Sequence, residues 1–216
     1  MLLDDLGERG LIAALEERGL AGPIGDDTAV LDDGVIATVD TMVEDVHFRH
    51  ACTSWLDLGS KAAAVKLSDL AAAAATPSAL LVSLAIAPTT PGDAVFELYE
   101  GLNQHAVPIR GGDTVAAPLT VISVTALGRS DRVPGRGGAR AGDVAVVTGP
   151  LGGAAAAWRA LEQGDALPDA LARAYRRPTP RLEEGRRRGA VATAMADISD
   201  GLAIDAAHIA ARSGCR

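Results

Sequence analysis

Residues 70–92, "LAAAAATPSALLVSLAIAPTTPG", carry no charged side chain, and that run limits the chain to two kinds of fold. It is long enough to cross a bilayer as one helix, which is the alternative reading. Pro77, however, removes a backbone donor and pushes the residue before it out of the helical region, so a single helix does not run through it. The run is therefore expected to be the end of a small-residue helix near Ala75, then a break, then a buried strand over Leu80–Ile86. A helix feeding directly into a buried strand points to an α/β chain.

The flanking segments alternate in the same way. Residues 8–18 predict an amphipathic helix with Leu11, Ile12 and Leu15 on one face. "VIATVDT" predicts a strand ending at Asp40, and "TVISVTALG", residues 120–128, a second buried strand. "GSKAAAVKLSDLAAAAA" and "PGDAVFELYEGLNQH" predict helices, the latter with a Pro-Gly-Asp start signal. The polar stretch "SDRVPGRGGARAGD", residues 130–143, reads as a connector, which sets a boundary near residue 140. Beyond it, "VAVVTG" predicts a short buried strand, "GGAAAAWRALEQG" a helix, and "PTPRLEEGRRRGAVATAM" a helix with Pro180 near its start. A further helix follows in "MADISDGLAIDAAHIAARSG", residues 195–214. The resulting units are 1–139 and 140–216.

Composition narrows the function. With aromatics at 3%, the core must be built from small aliphatic side chains, and base-stacking platforms for nucleic acid are disfavoured. The net charge of −8 argues against an electrostatically held polyanion. Only Lys61 and Lys66 are lysines, so contacts to a small anionic substrate fall to arginine, metal or backbone N–H groups. Cys52 and Cys215 lack metal-ligand spacing, and the acidic start "MLLDDLGERG" lacks a signal-peptide pattern. A cytoplasmic location is the expectation.

Aspartates carry the chemical signal. Asp26 and Asp27 in "GPIGDDTAV", Asp40 in "TVDTMVEDVHF", Asp69 in "KLSDLAAAA", Asp113 in "RGGDT", and Asp197 with Asp200 in "DISDG" all stand among small or hydroxyl-bearing neighbours. Asp40 and Asp113 are expected at or beside strand ends and Asp69 within a helix. Carboxylates gathered without lysines raise one another's pKa unless cations lie between them. Hard divalent ions resolve the conflict, and Mg²⁺ is commonly held by one or two carboxylates together with water and substrate phosphate. The set therefore suits a multi-metal phosphoryl-transfer site.

Taken singly, an aspartate beside Gly or Ser is far more often a turn former or helix cap than a ligand. Asp32 and Asp33 in "LDDGV" read as a hairpin turn, and Asp57, Asp93 and Asp143 as turn or cap residues. No P-loop or dinucleotide fingerprint occurs. Gly111 and Gly112 suit either close approach of a phosphate or a tight turn. His47, seven residues after Asp40, suits an anion contact or a proton relay as well as a packing role, and Arg136 in the connector suits a nucleotide phosphate or solvent.

In their order and wording, nine segments resemble the thiamine-monophosphate kinase family: "LGERGLIAAL", "IGDDTAVL", "VDTMVEDVHF", "GSKAAAVKLSDLAAAAATP", "RGGDT", "VISVTALG", "RGGARAGDVAVVTGPLGG", "RPTPRLEEG" and "DISDGLAIDAAHIAARSG". The resemblance implies a two-lobed α/β enzyme of the aminoimidazole-ribonucleotide-synthetase-like fold. Residues 1–139 would form the ATP- and metal-binding, dimerising lobe and 140–216 part of a C-terminal lobe. It implies a homodimer, ATP as co-substrate, several Mg²⁺ ions, and direct in-line transfer to thiamine monophosphate giving thiamine diphosphate. Asp27, Thr38, Val39, Asp40, Asp69, Asp113, Asp197 and Asp200 match metal positions, Val39 through its carbonyl. Tyr99, Gly112, Asp113, Arg136 and Ser199 match nucleotide positions, and His47 matches a substrate position.

The sequence departs from that family in three places. "YEGLNQHAVPIRGGD" is about one helical turn, roughly 3.6 residues, shorter than usual. Lys66 stands where asparagine is usual. The chain ends at Arg216, where relatives continue. An inactive nucleotide-binding and dimerisation fragment, or a sister ATP-using enzyme of the same fold, are the alternatives.

Overall fold

A computed structural model describes residues 3–22 and 24–215. Five strands form one sheet: β1 (Ala29–Val30), β2 (Val35–Val43), β3 (Thr76–Ile86), β4 (Ile109–Ala116) and β5 (Val121–Arg129). Seven helices accompany them: α1 (Leu3–Glu17), α2 (Trp55–Ala72), α3 (Gly92–Asn103), α4 (Gly153–Gln163), α5 (Asp169–Arg176), α6 (Leu182–Gly189) and α7 (Leu202–Arg212).

The sheet order is β1-β2-β5-β3-β4. All neighbours are antiparallel except β3 and β4, which are parallel because α3 crosses between them. Along β2, Ile36, Thr38 and Met42 are buried while Val39 and Thr41 are exposed, the period-2 pattern of a sheet with one covered face. The α2–α3 layer covers that face, and Leu58, Leu67 and Leu70 of α2 join Leu80, Val82, Leu84, Ile122 and Val124 of the strands in one core.

Small residues set the helix spacing. A Cβ at Gly59 would lie 1.9 Å from the Leu98 carbonyl oxygen, and one at Gly101 would lie 2.1 Å from that of Leu56. The α2 and α3 backbones therefore touch. Ser54 caps α2 by accepting the Asp57 N–H at 3.1 Å. At the other end Ala74 takes a left-handed conformation (φ 55), so the helix stops at Ala72, slightly before the expected Ala75. Thr76, ahead of Pro77, is already extended and paired with Arg129, and the sheet register shifts between Pro77 and Ala79, which accommodates the missing donor. Among the described residues no helix is long and apolar enough to cross a membrane.

Several expectations need correction. Asp40 is not at a strand end: β2 continues to Val43, because Thr41, Met42 and Val43 keep pairing with β5. Asp113 likewise lies inside β4, where pairing with β3 overrides the low strand preference of Gly111 and Gly112. Residues 144–149 form no strand; Val144 and Val146 are exposed, and among the described residues no strand lies beside them to take up their backbone groups. The segment after Pro180 yields only α6, ending at Gly189, and "MADISDG" is an irregular loop ahead of α7. Asp57 is not a cap: Ser54 takes that role by accepting the Asp57 N–H, and the Asp57 carboxylate pairs with Arg177, tying α2 to the segment after α5. Asp32 and Asp33 lie in the expected turn between β1 and β2. Met1 and Leu2 of the acidic start, and Arg216, lie outside the described residues.

Candidate active site

The sequence-distant aspartates meet at one edge of α2. Asp69, on the last turns of α2, is buried and shares an oxygen with two donors: the Thr38 hydroxyl of β2 donates to Asp69 Oδ2 at 2.5 Å, and Lys66 Nζ lies 2.6 Å from the same atom. Lys66 and Asp69 stand three residues apart, hence on one helix face. Lys66 Nζ also lies 3.3 Å from Asp40 Oδ2. Thr38 and Asp40 occupy alternate positions of β2, so both point toward α2.

Asp27 reaches the cluster from the loop before β1, and Asp197 from the loop before α7. The Asp197 backbone N–H donates to Asp27 Oδ2 at 3.2 Å. Arg136 closes the third side: its guanidinium pairs with Asp27, and its backbone N–H donates to Asp26 Oδ1 at 2.7 Å. The Nε of Arg136 is buried and has no acceptor among the described residues. An orphaned guanidinium donor beside carboxylates is a group that an anionic ligand would satisfy.

The electrostatics of the cluster are strained. Burial raises the Asp27 carboxyl above its ordinary range despite the opposing pull of Arg136, and Asp69 raises it further. Burial, then the charges of Asp69 and Asp27, push Asp197 up to about 7, against weaker lowering by a Ser68 hydrogen bond and by Lys66. A cation among Asp27, Asp69 and Asp197 would relieve this repulsion, and all the donors are hard oxygens. Among the described residues, however, no three His, Cys, Asp or Glu side chains stand close enough together to hold a metal ion by themselves. The donor set fits a Mg²⁺ ion that takes one or two carboxylates here and the rest of its shell from water and phosphate.

The remaining expected site residues are placed elsewhere. Ser199 and Asp200 are exposed in the loop ahead of α7. Val39 is exposed on the uncovered face of the sheet. Asp113 shares a register row with Ser83, Ser123 and Thr41. In that row the Thr41 hydroxyl donates to Ser123 Oγ at 3.0 Å on the face away from α2. Asp113 Oδ1 accepts the Thr114 N–H at 2.9 Å, and Gly112 is held so close to β3 that a Cβ would lie 1.7 Å from the Val82 carbonyl oxygen. Tyr99 packs against the core from α3. His47 closes the turn after β2, accepting the Val43 N–H at Nδ1 at 3.0 Å.

Asp205 escaped the sequence reading. Buried in the first turn of α7, its Oδ2 accepts the N–H groups of Ser199, Asp200 and Gly201 at 3.1, 3.2 and 3.1 Å. The available signal was an acidic residue one turn inside a helix start that follows a glycine, where free N–H groups attract a carboxylate.

Residues 25–130 match the family "AIR synthase related protein, N-terminal domain". The thiamine-monophosphate kinase of Bacillus subtilis (strain 168) is 37% identical over 88% of this chain, which spans 64% of that protein. For the kinase of the same name from Mycobacterium tuberculosis (strain CDC 1551 / Oshkosh) the identity is 37%, over 99% of this chain and 69% of the relative. The chain thus spans about two thirds of the length of these curated relatives. A solved structure described as AaThiL complexed with AMPPCP and TMP superposes with a TM-score of 0.93 at 33% identity, covering 99% of this chain and 72% of that one. The sheet-and-helix architecture is therefore the aminoimidazole-ribonucleotide-synthetase-like fold, and the chain belongs to the thiamine-monophosphate kinase family.

Proposed function

We propose that this chain carries out, or forms the nucleotide-binding part of, the ATP-dependent phosphorylation of thiamine monophosphate to thiamine diphosphate. In that reaction an oxygen of the acceptor phosphate bonds to the γ-phosphorus of ATP, the bond from that phosphorus to the β–γ bridging oxygen breaks, and ADP leaves. The transfer is direct and in line, with no phosphoenzyme. The observation that carries the reading is the convergence of Asp27, Asp69 and Asp197 beside a buried Arg136 Nε that lacks a partner among the described residues.

Asp27, Asp197 and the outer oxygens of Asp69 and Asp200 are the proposed Mg²⁺ positions. When bound, the ion supplies charge neutralisation on the transferring phosphoryl group. Arg136 grips a phosphate oxygen through the free Nε, while its link to Asp27 fixes the guanidinium plane. The loop from Asp197 to Gly201, drawn in by Asp205, presents the Ser199 hydroxyl to the nucleotide. Tyr99, Gly112, Asp113 and Val39 are proposed to complete the nucleotide and metal contacts, Thr38 to hold Asp69 in place through its hydroxyl, and His47 to meet the acceptor. Residues 1–139 are the proposed nucleotide-binding and dimerising unit and 140–216 part of a second. The uncovered sheet face, with Val39, Leu81 and Val115 exposed, supports association of two copies there. Two free cysteines agree with a cytoplasmic setting.

The test combines calorimetry with a non-hydrolysable ATP analogue and assay of thiamine diphosphate after incubation with ATP, Mg²⁺ and thiamine monophosphate. Binding with turnover is the expected result. Binding without turnover restricts this chain to the nucleotide-binding role, and absence of both in the folded protein overturns the reading.

A further inference from the structure

Four carboxylates, those of Asp27, Asp40, Asp69 and Asp197, share this site with two cationic side chains, and the two cations sit at opposite ends. Arg136 serves Asp27. Lys66 serves the other end, with Nζ 2.6 Å from Asp69 Oδ2 and 3.3 Å from Asp40 Oδ2. Its side chain is almost wholly buried, at 7% exposure, so water contributes little to solvating the ammonium. The Asp69 and Asp40 carboxylates are its partners.

We propose that Lys66 is an internal counter-ion that excludes a divalent cation from the Asp40–Asp69 edge, so that a metal held by these four carboxylates lies on the side of Asp27 and Asp197. It rests on the reading of the cluster as a metal–phosphate site and specifies which part of it holds metal. Three observations lead here. Asp69 Oδ2 already accepts from both the Lys66 ammonium and the Thr38 hydroxyl, so its lone pairs toward β2 are taken. A Mg²⁺ ion bridging Asp40 and Asp69 would need to approach each oxygen to about 2.1 Å, inside the space the ammonium fills. Lys66 and Asp69 also stand on one face of α2, in the part of that helix packed into the core, which keeps the ammonium within reach of the carboxylate.

The exchange has a chemical consequence. An ammonium supplies one positive charge where a divalent ion supplies two, so it offsets only one of the Asp40 and Asp69 charges, and it offers hydrogen bonds but no inner-sphere coordination to a phosphate. The phosphate-bridging role falls to ions on the Asp27–Asp197 side.

Mn²⁺ binding, counted by electron paramagnetic resonance in the presence of a non-hydrolysable ATP analogue, tests this on the full chain and on Lys66→Asn and Lys66→Met. Each variant is expected to bind one more Mn²⁺ per chain than the parent, and to gain a larger rise in melting temperature on adding Mg²⁺. Equal stoichiometry and equal Mg²⁺ shifts in all three proteins overturn the proposal. The parent protein offers a readout that needs no variant. The Lys66 ammonium ¹⁵N resonance is expected to persist unshifted as Mg²⁺ reaches saturation, and its displacement sinks the idea. A parent that binds no Mn²⁺ with nucleotide counts against the kinase reading instead, while the difference between parent and variants still decides the role of Lys66.

Discussion

Asp205 Oδ2 accepts the Ser199 N–H at 3.1 Å and so pins the loop that carries Asp197 and Asp200 to the start of α7. The same oxygen takes the N–H groups of Asp200 and Gly201, leaving this loop with a single carboxylate as its internal organiser. Asp205→Ala removes a buried acceptor from three donors and is expected to cost on the order of 1–3 kcal/mol. Amide hydrogen exchange at residues 199–201 should accelerate well beyond that at α2, and nucleotide affinity should fall with it. Unchanged exchange at those amides would remove Asp205 from this role.

Arg136 joins two acids at once, Asp27 through its guanidinium and Asp26 through its backbone N–H. Arg136→Met keeps the backbone bond and deletes the charge, leaving Asp27 buried without its partner. Calorimetry with an ATP analogue should show binding weakened about tenfold or more, the loss of one charge-assisted contact. Arg136→Lys should not restore it, because a point charge lacks the second donor of the fork.

Asp197 supplies the pH dependence. Its folded pKa, about 7, lies above the ordinary 3.8 because of burial and the neighbouring Asp69 and Asp27. The native state therefore holds a proton that the unfolded chain releases. The stability linked to that proton is full below pH 3.8 and is lost as pH rises through about 7. In chelator-treated protein, Asp197→Asn should be more stable than the parent at pH 8, by on the order of 1–4 kcal/mol, and the gain should vanish toward pH 4. Urea melts at both pH values check the sign. A constant difference would detach the effect from this carboxyl.

Gly59→Ala and Gly92→Ala form a matched pair. At Gly59 the added methyl would meet the Leu98 carbonyl at 1.9 Å, whereas at Gly92 nothing lies within 4 Å. The first should force α2 and α3 apart at a cost of about 1–3 kcal/mol or more. The second, at the exposed start of α3, should stay within about 0.5 kcal/mol of the parent. Chemical denaturation of both proteins reads the contrast directly.

Periodicity and helix or strand breakers, which act within a few residues, made most of the sheet and its covering helices legible. Pro77 separated α2 from β3, and the alternation in "TVISVTALG" marked β5. Strand β4 was missed because "IRGGDTVA" carries two glycines, and its pairing with β3 is a relation between residues far apart in sequence. Helix α5 left too short an apolar pattern to be read. The opposite error fell on residues 144–149, which have the composition of a buried strand but, among the described residues, no strand beside them.

The candidate site divides in the same way. Sequence by itself determined the reactive material: an acidic chain poor in lysine, with aspartates set in small-residue surroundings and ordered as in the thiamine-monophosphate kinase family. Only the tertiary structure decided that Asp27, Asp69 and Asp197 share one low-dielectric space, that Lys66 stands between Asp40 and Asp69, and that Asp205 rather than Asp197 or Asp200 binds the free N–H groups before α7. The physical reason is range. Propensity and capping act over one or two turns of chain, whereas burial and Coulomb coupling depend on distances set by how α2, β2 and the loop before α7 pack.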